Sequence, residues 1–188
     1  DLLMNRKPAG RRVAVVGAGG IGFDVSEYLV SDGHSPTLDP ATWMREWGVA
    51  DPAEARGGLS KPEITPPARK VYLLQRKATP LGKGLGKTTG WIHRAALKMK
   101  RVEMIGGVNY ERVDERGLTV SYGEAREKPT LLEVDTVVLC AGQDPARELA
   151  APLREQGVNV HLIGGADVAT ELDAKRAIEQ GTRLAASL

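Results

Sequence analysis

With 188 residues, the chain has room for one hydrophobic core and part of a second. Its 26 basic and 24 acidic residues leave a net charge of only +2, too even for a nucleic-acid or membrane-surface partner, so neither is expected. The single cysteine, Cys140, excludes an internal disulfide and any cluster or zinc site built from the chain's own thiolates, which fits a reducing cytoplasm.

The first strong signal is Arg12-Val13-Ala14-Val15-Val16, running directly into Gly17-Ala18-Gly19-Gly20-Ile21-Gly22. An apolar run without alternation suits a strand covered on both faces of a parallel sheet. A helix is predicted over 20–30, with Ile21, Val25 and Leu29 on one face, ending before Ser31-Asp32-Gly33. Strand, glycine turn and helix together form the context of a dinucleotide fingerprint. In it Gly17 permits the turn, Gly19 lets a pyrophosphate approach, and Gly22 lets helix and strand pack closely. The phosphates would sit on the free N–H groups of Gly20, Ile21 and Gly22 at the positive end of the helix.

The next strand signal comes late, at 70–75, and Gln75 lies 58 positions after Gly17. The intervening 33–69 is rich in Pro and Gly, with a short helical piece at 41–47, and reads as a surface insertion. A glycine-rich basic loop follows at 82–90. A helix is then predicted with Ile92, Ala95, Ala96 and Met99 on one face, and Thr88 or Thr89 as a cap. A short strand at 102–105 precedes three strand-like stretches, 108–113, 118–122 and 131–134, which suggest an antiparallel meander. Another buried strand, 136–140, ends in Ala141-Gly142-Gln143-Asp144-Pro145. Beyond it are a short helix at 147–156, a strand at 160–163 and a final amphipathic helix over 174–188.

The strand end Gln75-Arg76-Lys77 carries the cofactor preference. A carboxylate there would accept hydrogen bonds from ribose hydroxyls, whereas two cations suit a 2′-phosphate. The reading is therefore NADPH, against the alternative of a solvated basic turn. The loop at 82–88 imitates a phosphate loop, but Gly82 leaves three residues where four are needed, so it reads as a flexible basic loop near the nucleotide phosphates. His34, His93 and His161 have no metal-ligand spacing and read as surface or hydrogen-bonded structural residues. Cys140 reads as a small core residue, and Trp43, Trp47 and Trp91 as local packing.

Several segments together carry a family resemblance. They are Gly17 to Gly22, the Leu74-Gln75-Arg76-Lys77 strand end, and Gly84-Leu85-Gly86-Lys87-Thr88-Thr89-Gly90-Trp91-Ile92-His93-Arg94. With them come Val138-Leu139-Cys140-Ala141-Gly142-Gln143-Asp144-Pro145 and the run from His161 through Gly165, Asp167 and Glu171-Leu172-Asp173 to Ile178. The sequence resembles the C-terminal part of the bacterial NADPH-dependent 2,4-dienoyl-CoA reductases, flavoproteins related to trimethylamine dehydrogenase. The resemblance spans nearly the whole chain, insertion included.

It implies a larger enzyme, in which an N-terminal barrel holds FMN and the dienoyl-CoA beside a 4Fe–4S cluster. It also implies a C-terminal region of glutathione reductase type, with an NADPH domain set into an FAD domain. Hydride would pass from NADPH to FAD, and electrons onward to the cluster and FMN, for dienoyl-CoA reduction in unsaturated fatty acid β-oxidation. Neither barrel nor cluster cysteines are in this sequence, and the absent initiator Met reads as an excised piece. The partners implied are the remainder of the same polypeptide and, for the exposed stripe of the final helix, the NADPH domain or a second copy of the chain. The isolated chain is expected to bind NADPH without turning over substrate.

By the resemblance, Gly17, Gly19 and Gly22 match the pyrophosphate turn, and Arg76 with Lys77 the 2′-phosphate site. Gly142 matches the crossover between the two domains, and Gly165 and Asp167 the segment that contacts FAD. The expected fold is α/β, a doubly wound parallel sheet with a small β-meander and a segment of a second α/β domain. Residues 1–145 form the NADPH domain and 146–188 the FAD-domain segment. No residue is assigned a catalytic or metal-binding role. The alternatives are a vestigial ADP-binding domain of an amine dehydrogenase relative, which Arg76 and Lys77 oppose, and a non-catalytic NADPH-sensing module.

Overall fold

The computed structural model describes residues 2–170 and 173–188, so Glu171 and Leu172 of the C-terminal motif lie outside the described residues. The chain divides into two compact units, Asp1–Ala141 and Gly142–Leu188.

In the first unit, β1 (Arg12–Val16) is the organising strand, because it sits inside a four-stranded parallel sheet. It pairs with β2 (Lys70–Gln75) on one side and β7 (Thr136–Leu139) on the other, and β2 pairs with β3 (Glu103–Gly106). The alternate residues of β1 and β2 explain why both are apolar throughout. Val13, Val15, Val71 and Leu73 point to one face, where they meet Phe23, Val25, Leu29 and Val30 of α1 (Gly20–Val30) and Leu97 of α3 (Gly90–Met99). Ala14, Val16, Tyr72 and Leu74 point to the other. There they meet Val108, Leu118, Val120 and Leu132 of an antiparallel sheet made by β4 (Val108–Asp114), β5 (Gly117–Tyr122) and β6 (Glu127–Leu132). The result is the α/β fold with parallel sheet and meander that the pattern implies, with the meander as the third layer. Phe23, the chain's one phenylalanine, is fully buried.

The two helices facing the sheet differ in detail from their predicted stripes. In α1, Val25 and Leu29 are buried as expected but Ile21 is exposed, and the packed face also takes in Gly22, Phe23 and Ser26, whose hydroxyl donates to the Gly22 carbonyl at 2.7 Å. In α3, Leu97 is the fully buried residue, while Ile92, Ala96 and Met99 face sideways onto a cavity of about 340 Å³ under the insertion. Thr89 occupies the cap position of α3 but makes no side-chain capping bond. Trp91 is largely exposed, contrary to a packing role, whereas Trp43 and Trp47 form a tilted pair with centroids 6.1 Å apart.

The insertion forms α2 (Pro40–Trp47) and two single 3-10 turns. Asp39 caps α2, accepting from the N–H groups of Ala41 and Thr42 and from the Thr42 hydroxyl, and these bonds hold its carboxyl below the usual range. The insertion is fastened through Glu46, whose buried carboxylate meets Lys100 at 2.5 Å, while Lys100 also donates to the Thr65 carbonyl.

The second unit contains α4 (Ala150–Glu155) and α5 (Ala174–Ala185). The strand expected at 160–163 does not form. Ile163 is extended, at φ −135° and ψ 162°, but the segment pairs with no strand among the described residues. An extended backbone becomes a strand only when a neighbour accepts its hydrogen bonds. The apolar stripe of α5 is half covered at Ala177 and Gly181, and Ile178 is 67% exposed.

Candidate functional site

The glycine turn and the basic turn lie side by side at the C-terminal edge of the parallel sheet. Val16 and Leu74 are register partners, and the Gly17 N–H donates to the Leu74 carbonyl at 2.9 Å. This edge is also where strand order reverses, since the chain moves from β1 to β2 and β3 and returns to β7 on the far side of β1. Open α/β sheets bind ligands in the crevice outside such a reversal.

Three glycines in the turn answer three separate demands. Gly17 has φ +110°, and a Cβ there would come within 2.5 Å of the Cys140 carbonyl oxygen at the end of β7. Gly22 is pressed against Gly17, whose carbonyl oxygen would stand 1.8 Å from an added Cβ. Gly19 and Gly20 face open space, with nothing within 4 Å of an added Cβ. So the first and third fingerprint glycines serve packing, and the second leaves a clearing. Gly19 also caps α1 without a side-chain bond, and no acidic residue lies in the first turn. The first intrahelical bond runs from Phe23 N–H to the Gly19 carbonyl, so the N–H groups of Gly20, Ile21 and Gly22 precede the helical ladder. They and the helix dipole suit an anion.

Arg76 and Lys77 follow β2 directly and are exposed, and neither side chain has an ion-pair partner among the described residues. The Arg76 charge acts on Tyr110 of β4, whose hydroxyl is pushed up by burial and drawn down by the guanidinium. The loop at 82–90 is held rather than loose. Arg94 donates to the Gly82 carbonyl at 3.0 Å, and a Cβ at Gly82 would meet the Phe23 ring at 2.8 Å. Lys83 and Lys87 are thus carried on a loop that rests against the first turns of α1.

The remaining sequence-nominated residues belong to the second unit. Gly142 has φ +92° and open space around it. Gly165 and Asp167 sit in and just after the 3-10 turn Gly164–Ala166, which is tightly held. Gln180 of α5 accepts from the Gly164 N–H at 2.7 Å and donates to the Asp167 carboxylate at 3.0 Å. Arg147 donates to the Ala166 carbonyl at 2.7 Å and to that of Asp167. Sequence reasoning named neither Gln180 nor Arg147, since no periodicity marks a side chain that reaches 16 or 19 positions along the chain.

Cys140 is half buried against the helix-side core, and burial raises its thiol pKa, as expected of an inert packing residue. His93 is hydrogen-bonded to Glu27 at 2.8 Å, tying α3 to α1. Among the described residues no cluster of ligating side chains could hold a metal, and no helix is long and apolar enough to cross a membrane. The cavity under the insertion begins at Glu27, in the last turns of α1 and away from the glycine turn. Among its lining residues, Glu27 meets His93 and Glu46 meets Lys100, contacts that hold the insertion and helices together.

Known proteins are consistent with this architecture. A metal reductase from Desulforamulus reducens is 26% identical over 166 residues, which cover 88% of this chain and 23% of that protein. The chain therefore spans about a quarter of that protein's length. Among solved structures, a 2-naphthoyl-CoA reductase complexed with 2-naphthoyl-CoA superposes with a TM-score of 0.66 at 18% identity, over 96% of this chain and 22% of that one. Histamine dehydrogenase from Rhizobium sp. 4-9 gives 0.67 at 16% identity, over 100% of this chain and 25% of that one. At such identities the likeness speaks for the fold alone. Residues 2–176 match the pyridine nucleotide-disulphide oxidoreductase family, and the chain belongs to that family.

Proposed function

We propose that this chain is the NADPH-binding part of a flavin-dependent oxidoreductase, with residues 1–145 as the NADPH domain and 146–188 as a segment of an FAD domain. The carrying observation is the pairing of an open glycine turn with two unspent cations on the neighbouring strand end. Backbone N–H groups of Gly20, Ile21 and Gly22 would hold the pyrophosphate, Gly19 would admit it, and Arg76 and Lys77 would grip the 2′-phosphate. Gly142, Gly165 and Asp167 would lie on the flavin side. When bound, NADPH supplies a hydride to FAD, and this chain's part is to bind and orient it. The finer reading, from the sequence resemblance, is reduction of a 2,4-dienoyl-CoA by the whole polypeptide, with FMN and a 4Fe–4S cluster in its other domains.

Calorimetric titration tests the cofactor reading. NADP⁺ should bind more tightly than NAD⁺, and Arg76→Ala should lower that preference about ten- to hundredfold, the worth of one charge-assisted hydrogen bond. Equal affinity for the two nucleotides in the unmutated chain would reject it.

A further inference from the structure

We infer that Gln75 is a positioning residue for 2′-phosphate recognition, acting by fixing the turn that carries Arg76 and Lys77. This rests on the nucleotide-site reading above and adds a residue to it. Gln75 is the last residue of β2, and its side-chain Nε2 donates to the Lys77 carbonyl at 2.8 Å and the Thr79 carbonyl at 2.5 Å. The Thr79 hydroxyl lies at 3.4 Å. A primary amide nitrogen has two hydrogens, and two main-chain oxygens take them. The chemistry fixes the amide's orientation, since its oxygen turned the same way would face two acceptors.

The turn is also held from its other side. The Lys77 carbonyl accepts from the Gly107 N–H at 3.1 Å, and a Cβ at Gly106 would crowd the same oxygen at 3.1 Å. Main chain from 76 to 79 is therefore clamped between the end of β2 and the β3–β4 junction. The side chains of Arg76 and Lys77 are not used in this clamp, and both are exposed. A fixed backbone bearing uncommitted cations is a preorganised anion site, which binds without first ordering its own chain. Only an amide or another double donor can close the clamp. A carboxylate, the residue type that reads unphosphorylated ribose at a strand end, would oppose both carbonyls. In this fold the choice of Gln therefore does two things. It puts a neutral amide where a charged ribose acceptor would stand, and it builds the platform for the phosphate donors.

The experiment measures NADP⁺ and NAD⁺ affinities, by calorimetry, of the unmutated chain, Gln75→Leu and Gln75→Glu. The two ligands differ only in the 2′-phosphate, so NAD⁺ binding reports an intact fold and pyrophosphate site. Gln75→Leu, which removes the donors without adding charge, should lower the NADP⁺/NAD⁺ preference about tenfold while leaving NAD⁺ affinity within about twofold. Gln75→Glu should bring the preference close to one. Preference retained in both variants, or an equal fall in both affinities as a merely structural residue would give, overturns the clamp. An unmutated chain that binds both nucleotides equally overturns it too, together with the site reading. In contrast, a chain that prefers NADP⁺ and keeps the preference in both variants sinks the clamp alone.

Discussion

The Gly22 α-carbon lies so close to the Gly17 carbonyl that an added methyl would stand 1.8 Å from that oxygen. No side-chain rotation can relieve this, because the obstacle is backbone on both sides. Gly22→Ala should force α1 away from β1 and lower unfolding free energy by about 3 kcal/mol, the upper end for overpacked interiors. A urea denaturation midpoint unchanged by the substitution would mean that helix and strand are not in this contact.

Gly19 is the converse case. Its φ of −82° suits any residue, and its Cβ direction is open. Gly19→Val should leave the melting transition nearly as it was and abolish nucleotide binding, because the side chain fills the clearing. Binding that survives the substitution places the nucleotide elsewhere.

Lys100 and Glu46 anchor the insertion to α3, and Glu46 is 7% exposed. Lys100→Met should destabilise the protein by about 3 kcal/mol, since it leaves a buried carboxylate without its counter-ion. Adding Glu46→Gln should recover part of the loss by removing the stranded charge. Denaturation of the single and double variants reads both effects, and additive losses would show that the two residues are not coupled.

Asp135 accepts from the Arg12 guanidinium at 2.7 Å and from the Arg12 N–H at 2.8 Å, joining the start of β1 to the segment before β7. These bonds hold its carboxyl below the ordinary 3.8. A carboxyl whose folded pKa is lowered stabilises the fold when ionised. Its contribution is complete above the unfolded pKa and lost as pH falls through the folded one. Asp135→Asn should therefore melt earlier than the unmutated chain at pH 7, and the gap should close in acid below 3.8. A gap of constant size down to about pH 2 would show that ionisation is not its source.

Local rules carried the sequence reading wherever neighbours in the chain determine the structure. The 20–30 helix and the 70–75 strand fall where periodicity puts them, because a buried strand and the helix after a glycine turn are specified by their own residues. The 160–163 stretch failed for the opposite reason, as its β-branched residues favour an extended chain but cannot supply a pairing partner. The shared face of Ile92, Ala96 and Met99 on α3 was legible, but not that two surfaces divide the helix, the sheet taking Leu97 and the insertion taking Ile92 and Met99. At the candidate site, glycine spacing and the two cations were legible. The clamp by Gln75 and the bridge by Gln180 were not, since a neutral amide advertises nothing until the carbonyls it meets are known.

The insertion between α1 and β2 also bears on how the chain folds. β1 must find β2 across more than 50 residues, and β7 from farther still, whereas β4, β5 and β6 are joined by short turns. Closing a loop that the insertion has roughly tripled costs only about 1 kcal/mol more, because the entropy grows with the logarithm of length. The thermodynamic burden is thus small. The kinetic burden is larger, since distant parallel pairing comes late. The meander, whose contacts are nearest in sequence, is then the part that can be in place first, presenting a ready apolar floor on which β1 and β2 assemble.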